Sequence, residues 1–139
     1  MSERFQIEER VRWGDVDAAG VVYFSAFARF FQIAETELFR EAGVPYGRVF
    51  DRFDIWLPRV RYACDFHAPA HLDERLYVSA WIGRLGTRSI TLAFAITTVE
   101  GGLPIADCEI VLVSVDRKTW KTQPIPAELR SALAPFAGA

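Results

Sequence analysis

Apolar residues recur along this chain with two periods, and the change of period divides it into parts. Phe5, Ile7 and Val11 fall at strand-like spacing within residues 4–12 and predict a first strand. From about Ser25 to Ala42 the spacing becomes helical: Phe27, Phe30, Phe31, Ala34, Leu38 and Ala42 share one face. Arg29, Gln32, Thr36 and Arg40 fall opposite them. Ser25 is placed to cap the start of this helix. Gly43 is placed to end it, and Pro45 to keep it from resuming.

Beyond the helix the period returns to two. Val60, Tyr62, Cys64 and Phe66 alternate with Arg59, Arg61, Ala63 and Asp65. Leu76, Val78, Ala80 and Ile82 form a second such set, alternating with Tyr77, Ser79 and Trp81. Ile90, Leu92, Phe94 and Ile96 form a third. Glu100-Gly101-Gly102 reads as a hairpin turn into a long strand from about Leu103 to Val115. Pro124, Pro126 and Pro135 punctuate a tail with room for one helical turn. The predicted order is strand, loop, long helix, then four strands in meander. One apolar helix face needs one sheet face to cover it, so the fold class is α+β: a five-stranded antiparallel sheet wrapped around one long central helix. The open edges of such a sheet favour pairing with a second copy.

Composition narrows this picture little. The 139 residues suit a single domain spanning 1–139 with one core. Eleven Phe and four Trp give an aromatic-rich interior, or a pocket for a flat apolar ligand. A net charge of -2 excludes a general polyanion binder, so an anionic ligand needs a local cluster of cations. Cys64 and Cys108 stand apart in apolar stretches and read as buried free thiols. The first residues lack the basic-then-apolar pattern of a secretory leader, and no apolar run is long enough to span a bilayer. A reducing, cytoplasmic setting is the expectation.

The chemistry concentrates in the loop over residues 13–24. Asp15 and Asp17 precede a long helix, with Ala18-Ala19-Gly20 between. Gly20 lets the backbone adopt positive φ or pass close to a ligand. Free N–H groups at the helix start face back toward this loop. That combination suits acyl transfer, because those N–H groups stabilise an oxyanion while a carboxylate attacks a carbonyl or deprotonates water. The same residues also serve as ordinary caps and Asx turns.

The run Gly14-Asp15-Val16-Asp17-Ala18-Ala19-Gly20-Val21-Val22-Tyr23-Phe24 resembles the catalytic loop of the 4-hydroxybenzoyl-CoA thioesterase family of hotdog-fold enzymes. The likeness continues through the helix to Gly43-Val44-Pro45, and more loosely over Phe66, Pro69, Asp73 and the later strands. It implies a hotdog fold and hydrolysis of an acyl-CoA thioester to free acid and CoA. It places the catalytic aspartate on Asp17 and the backbone oxyanion donor near Phe24. Asp15 is then a structural brace, and Gly20, Val21 and Tyr23 contact substrate. Phe24 and Ala26 stand where the Tol–Pal-associated branch has His and Asn, so those polar contacts are lost here. Trp13-Gly14-Asp15 and the Asp-Ala-Ala-Gly-Val-Val-Tyr-Phe run look more like the aromatic acyl-CoA branch, implying a benzoyl or hydroxybenzoyl type of substrate. The alternatives are a short-chain aliphatic acyl-CoA, or a hotdog module that binds acyl-CoA or acyl carrier without turnover. The resemblance also implies a homodimer or a dimer of dimers, and no metal or prosthetic group.

Glu35 flanks the apolar helix face and reads as solvated or ion-paired rather than catalytic. His67 and His71 bracket Pro69, so their spacing need not bring them onto one metal. No histidine lies in the loop or the helix, which disfavours dehydratase chemistry. Arg84, Arg88, Arg117, Lys118 and Lys121 are ordinary surface cations. By resemblance Arg84, Thr87, Arg88 and Ser89 hold the CoA nucleotide, where exposed cations meet phosphates.

Overall fold

In the computed structural model, which describes residues 4–138, the helical face becomes α1 (Phe27–Glu41). It buries Phe27, Phe30, Phe31, Ala34, Leu38 and Phe39, the residues spaced to share one side. Each large side chain so buried stabilises the fold by about 1.5–3 kcal/mol. Its end is where the glycine predicts: Gly43 has φ 82°, its N–H donates to Arg40 O, and the Val44 N–H donates to Phe39 O. The start differs. A short 3-10 turn, Phe24–Ala26, precedes α1, and Ser25 lies within that turn rather than ahead of it. No side chain caps either element, so Ser25 is not the cap.

Pro45 redirects the chain rather than ending its helical character. It is the N-cap of a second helix, α2 (Tyr46–Phe53), which the strand-dominated reading of this region passed over. Its own pattern was present: Tyr46, Val49, Phe50 and Phe53 sit at helical spacing, and all pack on the core.

The strands are β1 (Phe5–Arg10), β2 (Ile55–Trp56), β3 (Arg59–Phe66), β4 (Arg75–Leu85), β5 (Ser89–Thr98), β6 (Pro104–Val113) and β7 (Val115–Asp116). Five of them form one antiparallel sheet in the order β1-β4-β5-β6-β3, while β2 and β7 form a two-stranded ribbon. The expected four-strand meander therefore holds only for β4, β5 and β6. Because β1 takes the free edge of β4, β3 goes to the far edge of β6. The tail forms α3 (Ala127–Leu133) and a 3-10 turn, Ala134–Phe136.

Register lines up rows of side chains toward α1. One row runs Ile7, Val78, Ile96, Ala106, Phe66; the next runs Phe5, Ala80, Phe94, Cys108, Cys64. The middle members are buried, but α1 meets β3 only at isolated points, through Phe27 on Phe66 and Glu35 on Arg59, and does not cover it. Val60, Tyr62 and Phe66 stay 62%, 52% and 50% exposed, against the buried face their alternation predicted. The sheet has two distinct ends. The loop and the start of α1 lie at the end where β4 begins, since Val11 N–H donates to Glu74 O and Val22 N–H to Ala70 O. The β4–β5 turn lies at the other, ten residues or about 33 Å along β4.

Candidate active site

Residues 15–23 fold as a narrow hairpin. The Tyr23 N–H donates to Asp15 O, Val16 pairs with Val22, and the Asp17 N–H donates to Val21 O at 3.0 Å. Gly20 closes the tip with φ 78°, where a side chain is strained, and its N–H donates to Asp17 O. The hairpin is anchored from outside by Leu72 N–H on Gly20 O and by Tyr23 Oη donating to Gly14 O at 3.0 Å.

The two aspartates of this hairpin have different surroundings. Asp15 is buried at its base. Its Oδ2 accepts from the Arg12 N–H at 2.7 Å and from Arg29 Nη2 at 2.5 Å, and its Oδ1 accepts from Arg29 Nε at 2.8 Å. Burial alone raises the pKa of this carboxyl, but the Arg29 pairing and the Arg12 N–H outweigh it and hold the group below the usual range. Asp17 is exposed at the tip. Its Oδ1 accepts from the Ala19 N–H at 2.9 Å, which is an Asx turn, and its Oδ2 accepts no hydrogen bond among the described residues.

At the hairpin base the chain enters the 3-10 turn. Among the described residues the N–H groups of Phe24 and Ser25 have no acceptor, as expected for a helix start without a cap. The hairpin sets Asp17 two rungs, about 7 Å of strand, from the base that carries these donors. Phe24 is 77% exposed just past the hairpin, Trp13 is exposed just before it, and Tyr23 is exposed on it.

Arg84, Thr87, Arg88 and Ser89 are not beside Asp17. They occupy the β4–β5 turn at the opposite end of the sheet. Arg88 is also engaged locally, with Nη1 donating to Thr122 Oγ1 at 3.1 Å. Thr87 O accepts from Ile125 N–H, and Ser89 O from Gly86 N–H. One chain therefore does not bring the loop and the turn into one cavity.

Glu35 is ion-paired and not solvated. It is 1% exposed on α1 and receives Arg59 Nη1 at 2.8 Å and Nη2 at 2.5 Å, while Tyr46 Oη donates to the same carboxylate. Burial and the Glu35 charge keep the Tyr46 hydroxyl protonated well beyond its ordinary range, so it acts as a donor. His67 Nε2 meets Asp107 and His71 Nδ1 lies near Glu74, so the two rings do not converge. Among the described residues no three His, Cys, Asp or Glu side chains gather as a metal site. Nor is any helix among them long and apolar enough to cross a membrane. The sequence reading missed the exposed strip of β3. The Phe66 ring lies tilted against Phe27 with centroids 5.1 Å apart, and the strip continues to Tyr62 and Val60 along the sheet edge. Its alternation is that of a buried strand, so the sequence carried no local signal of this exposure. A trough of about 410 Å³ opens elsewhere, on the sheet face away from α1, between Ala63, Trp81, Ala93 and Asp107; no candidate site residue lines it.

A family model described as the thioesterase-like superfamily matches residues 11–133. A 1,4-dihydroxy-2-naphthoyl-CoA hydrolase of Synechococcus elongatus is 25% identical over 93% of this chain and 94% of its own length. The acyl-CoA thioester hydrolase YbgC of Escherichia coli O6:H1 is 27% identical over 90% of this chain and 92% of its own. The crystal structure of Slr0204, a 1,4-dihydroxy-2-naphthoyl-CoA thioesterase from Synechocystis, superposes with a TM-score of 0.87. It is 26% identical and covers 95% of this chain and 96% of that one.

Proposed function

The chain belongs to the thioesterase-like superfamily, with the hotdog arrangement of five antiparallel strands and a long helix, and from that premise we propose that it hydrolyses an acyl-CoA thioester using Asp17. One observation carries the reading: an exposed carboxylate with one free oxygen stands on the same hairpin that delivers unfilled N–H groups at the start of a helix. The thioester oxygen accepts from the Phe24 N–H, where developing negative charge meets aligned backbone dipoles. Asp17 Oδ2 then attacks the carbonyl carbon, or takes a proton from a water that does. The carbon–sulfur bond breaks, CoA leaves as a thiolate that is protonated, and water completes the acid. Gly20, Val21 and Tyr23 border the acyl group. Asp15 touches no substrate and sets the hairpin on Arg29.

An aromatic acyl group is the substrate class we favour. The exposed rings of Phe24 and Phe66, the latter against Phe27 at the helix start, offer flat apolar surface near the loop, and dihydroxynaphthoyl-CoA hydrolases are among the relatives. The likeness to YbgC keeps a short aliphatic group as the second reading. The Asx turn at Asp17 keeps a third, in which the domain binds acyl-CoA without turnover.

The assembly proposed is a homodimer, alone or doubled into a tetramer, of a cytoplasmic single-domain protein that needs no cofactor beyond its CoA substrate. β3 is a sheet edge with an exposed apolar strip. Two-fold antiparallel pairing of β3 with its copy sets the Phe66 end of one chain beside the Arg59 end of the other. That arrangement places the Asp17 loop of one copy near the Arg84–Ser89 turn of the next, where CoA phosphates meet cations. Release of free thiol from benzoyl-CoA, compared with a short aliphatic acyl-CoA and followed with a thiol reagent, tests the reading. Turnover with preference for benzoyl-CoA is expected. Binding of both without thiol release would leave a binding module.

A further inference from the structure

Cys64 and Cys108 are 44 positions apart in sequence, yet they are direct partners in the β3–β6 ladder. Both face α1, in the row that also holds Phe94 and Ala80. The ladder also fixes the kind of pair. His67 N–H donates to Ile105 O at 2.8 Å, one step beyond the Phe66–Ala106 pair, which makes that position a hydrogen-bonded pair. Pairs alternate along an antiparallel ladder, so Cys64–Cys108 is a non-hydrogen-bonded pair, with Cα atoms about 4.5 Å apart and side chains close. A disulfide spans Cα separations of about 4.4–6.8 Å. Both thiols are free; Cys108 is buried as expected, but Cys64 is only half-buried, because it stands on the edge strand that α1 does not cover. Neither takes part in the hydrolysis proposed above.

We infer that Cys64 and Cys108 form a reversible cross-strand dithiol–disulfide site, oxidised by small-molecule disulfides and tying the edge strand β3 to β6. The half-buried Cys64 reacts first. Its thiolate attacks one sulfur of the reagent, expels one thiolate and carries the other half as a mixed disulfide. The Cys108 thiolate then attacks the Cys64 sulfur and expels the second reagent thiolate. Two cysteine thiols lose two electrons and two protons, and the reagent disulfide becomes two thiols. Burial pushes the Cys108 thiol well up, so closing is the slow step and quickens with pH. The short Cα separation lies at the low end of the disulfide range, so the bond is readily reduced. It crosses a rung of the ladder on the helix side, leaving the outer backbone edge of β3 free to pair.

Reduced protein, freed of reductant, is incubated with glutathione disulfide at several pH values and then denatured for thiol titration, intact mass and peptide mapping. Both thiols should disappear together. The mass should fall by two hydrogens with no glutathione retained, and one linked peptide should carry Cys64 and Cys108. The closing rate should rise about tenfold per pH unit. Dithiothreitol should restore both thiols. The variants Cys64→Ala and Cys108→Ala should each give at most a glutathione adduct on the remaining thiol. Three results would each overturn the proposal: both thiols persisting in the folded wild type, a Cys64–glutathione adduct that never resolves, or a linkage between two chains.

Discussion

Asp15 and Asp17 are two positions apart, and their hydrogen bonds give them different work. Asp15 has both oxygens occupied by Arg29 and the Arg12 N–H, so it has no lone pair directed at a substrate. Asp15→Asn should loosen the hairpin and lower stability by about 1–3 kcal/mol, less than for a fully buried pair because Arg29 remains partly exposed. Denaturant unfolding at pH 7 measures this. The folded-state pKa of Asp15 is depressed, so its contribution is complete above the ordinary carboxylate range near ~3.9 and is lost as pH falls through the lower folded value. The gap between wild type and Asp15→Asn should therefore be full at neutral pH and close in strong acid. A gap that widened below pH 4 would contradict the assignment. At the far end of the sheet, Arg88→Glu should raise KM for acyl-CoA with kcat little changed, since it removes binding shared by ground and transition states. An unchanged KM would move the phosphate contact away from this turn.

Between elements, the principal polar stitch is Glu35 of α1 with Tyr46 of α2 and Arg59 of β3. Glu35→Ala leaves a guanidinium and a hydroxyl without their acceptor and should cost on the order of 3 kcal/mol. Glu35→Gln, which keeps a carbonyl acceptor, should cost less. Thiol release by either variant, measured while it is still folded, should keep wild-type kcat; loss of turnover in folded Glu35→Gln would shift the catalytic role to the helix. This cluster shows what the sequence could and could not reveal. The faces of α1, β4, β5 and β6 were legible because burial imposes one period on each. Gly43 was legible because an ending helix needs positive φ. The pairing of Glu35 with Arg59 was not, because it depends on β3 crossing to the far edge of the sheet, a long-range choice with no local signature. The same choice exposes Val60, Tyr62 and Phe66, which alternate like a buried strand. α2 was passed over because Pro45 was read as ending helical structure, although Tyr46, Val49, Phe50 and Phe53 carry the period. In the loop, Gly20 and the two aspartates were legible as types, and the resemblance implied their separate roles; what the sequence lacked was the local bonding, Arg29 and the Arg12 N–H on Asp15 against a single Asx-turn bond on Asp17.

For the whole molecule, the separation of the Asp17 loop from the Arg84–Ser89 turn along β4 is the reason for the proposed dimer. Sedimentation should show a dimer or larger at micromolar concentration, and Tyr62→Lys on the exposed strip should weaken it and reduce turnover together. A fully active monomer would show that one chain builds the site alone. The central claim is that Asp17 supplies the carboxylate for thioester hydrolysis, and steady-state thiol release by Asp17→Asn tests it most directly. The amide keeps the shape and the Ala19 contact but removes the ionised group. The expected result is a kcat at least ~10²-fold below wild type, with KM and unfolding midpoint close to wild type. Asp17→Asn protein that retained most of its kcat would contradict the account.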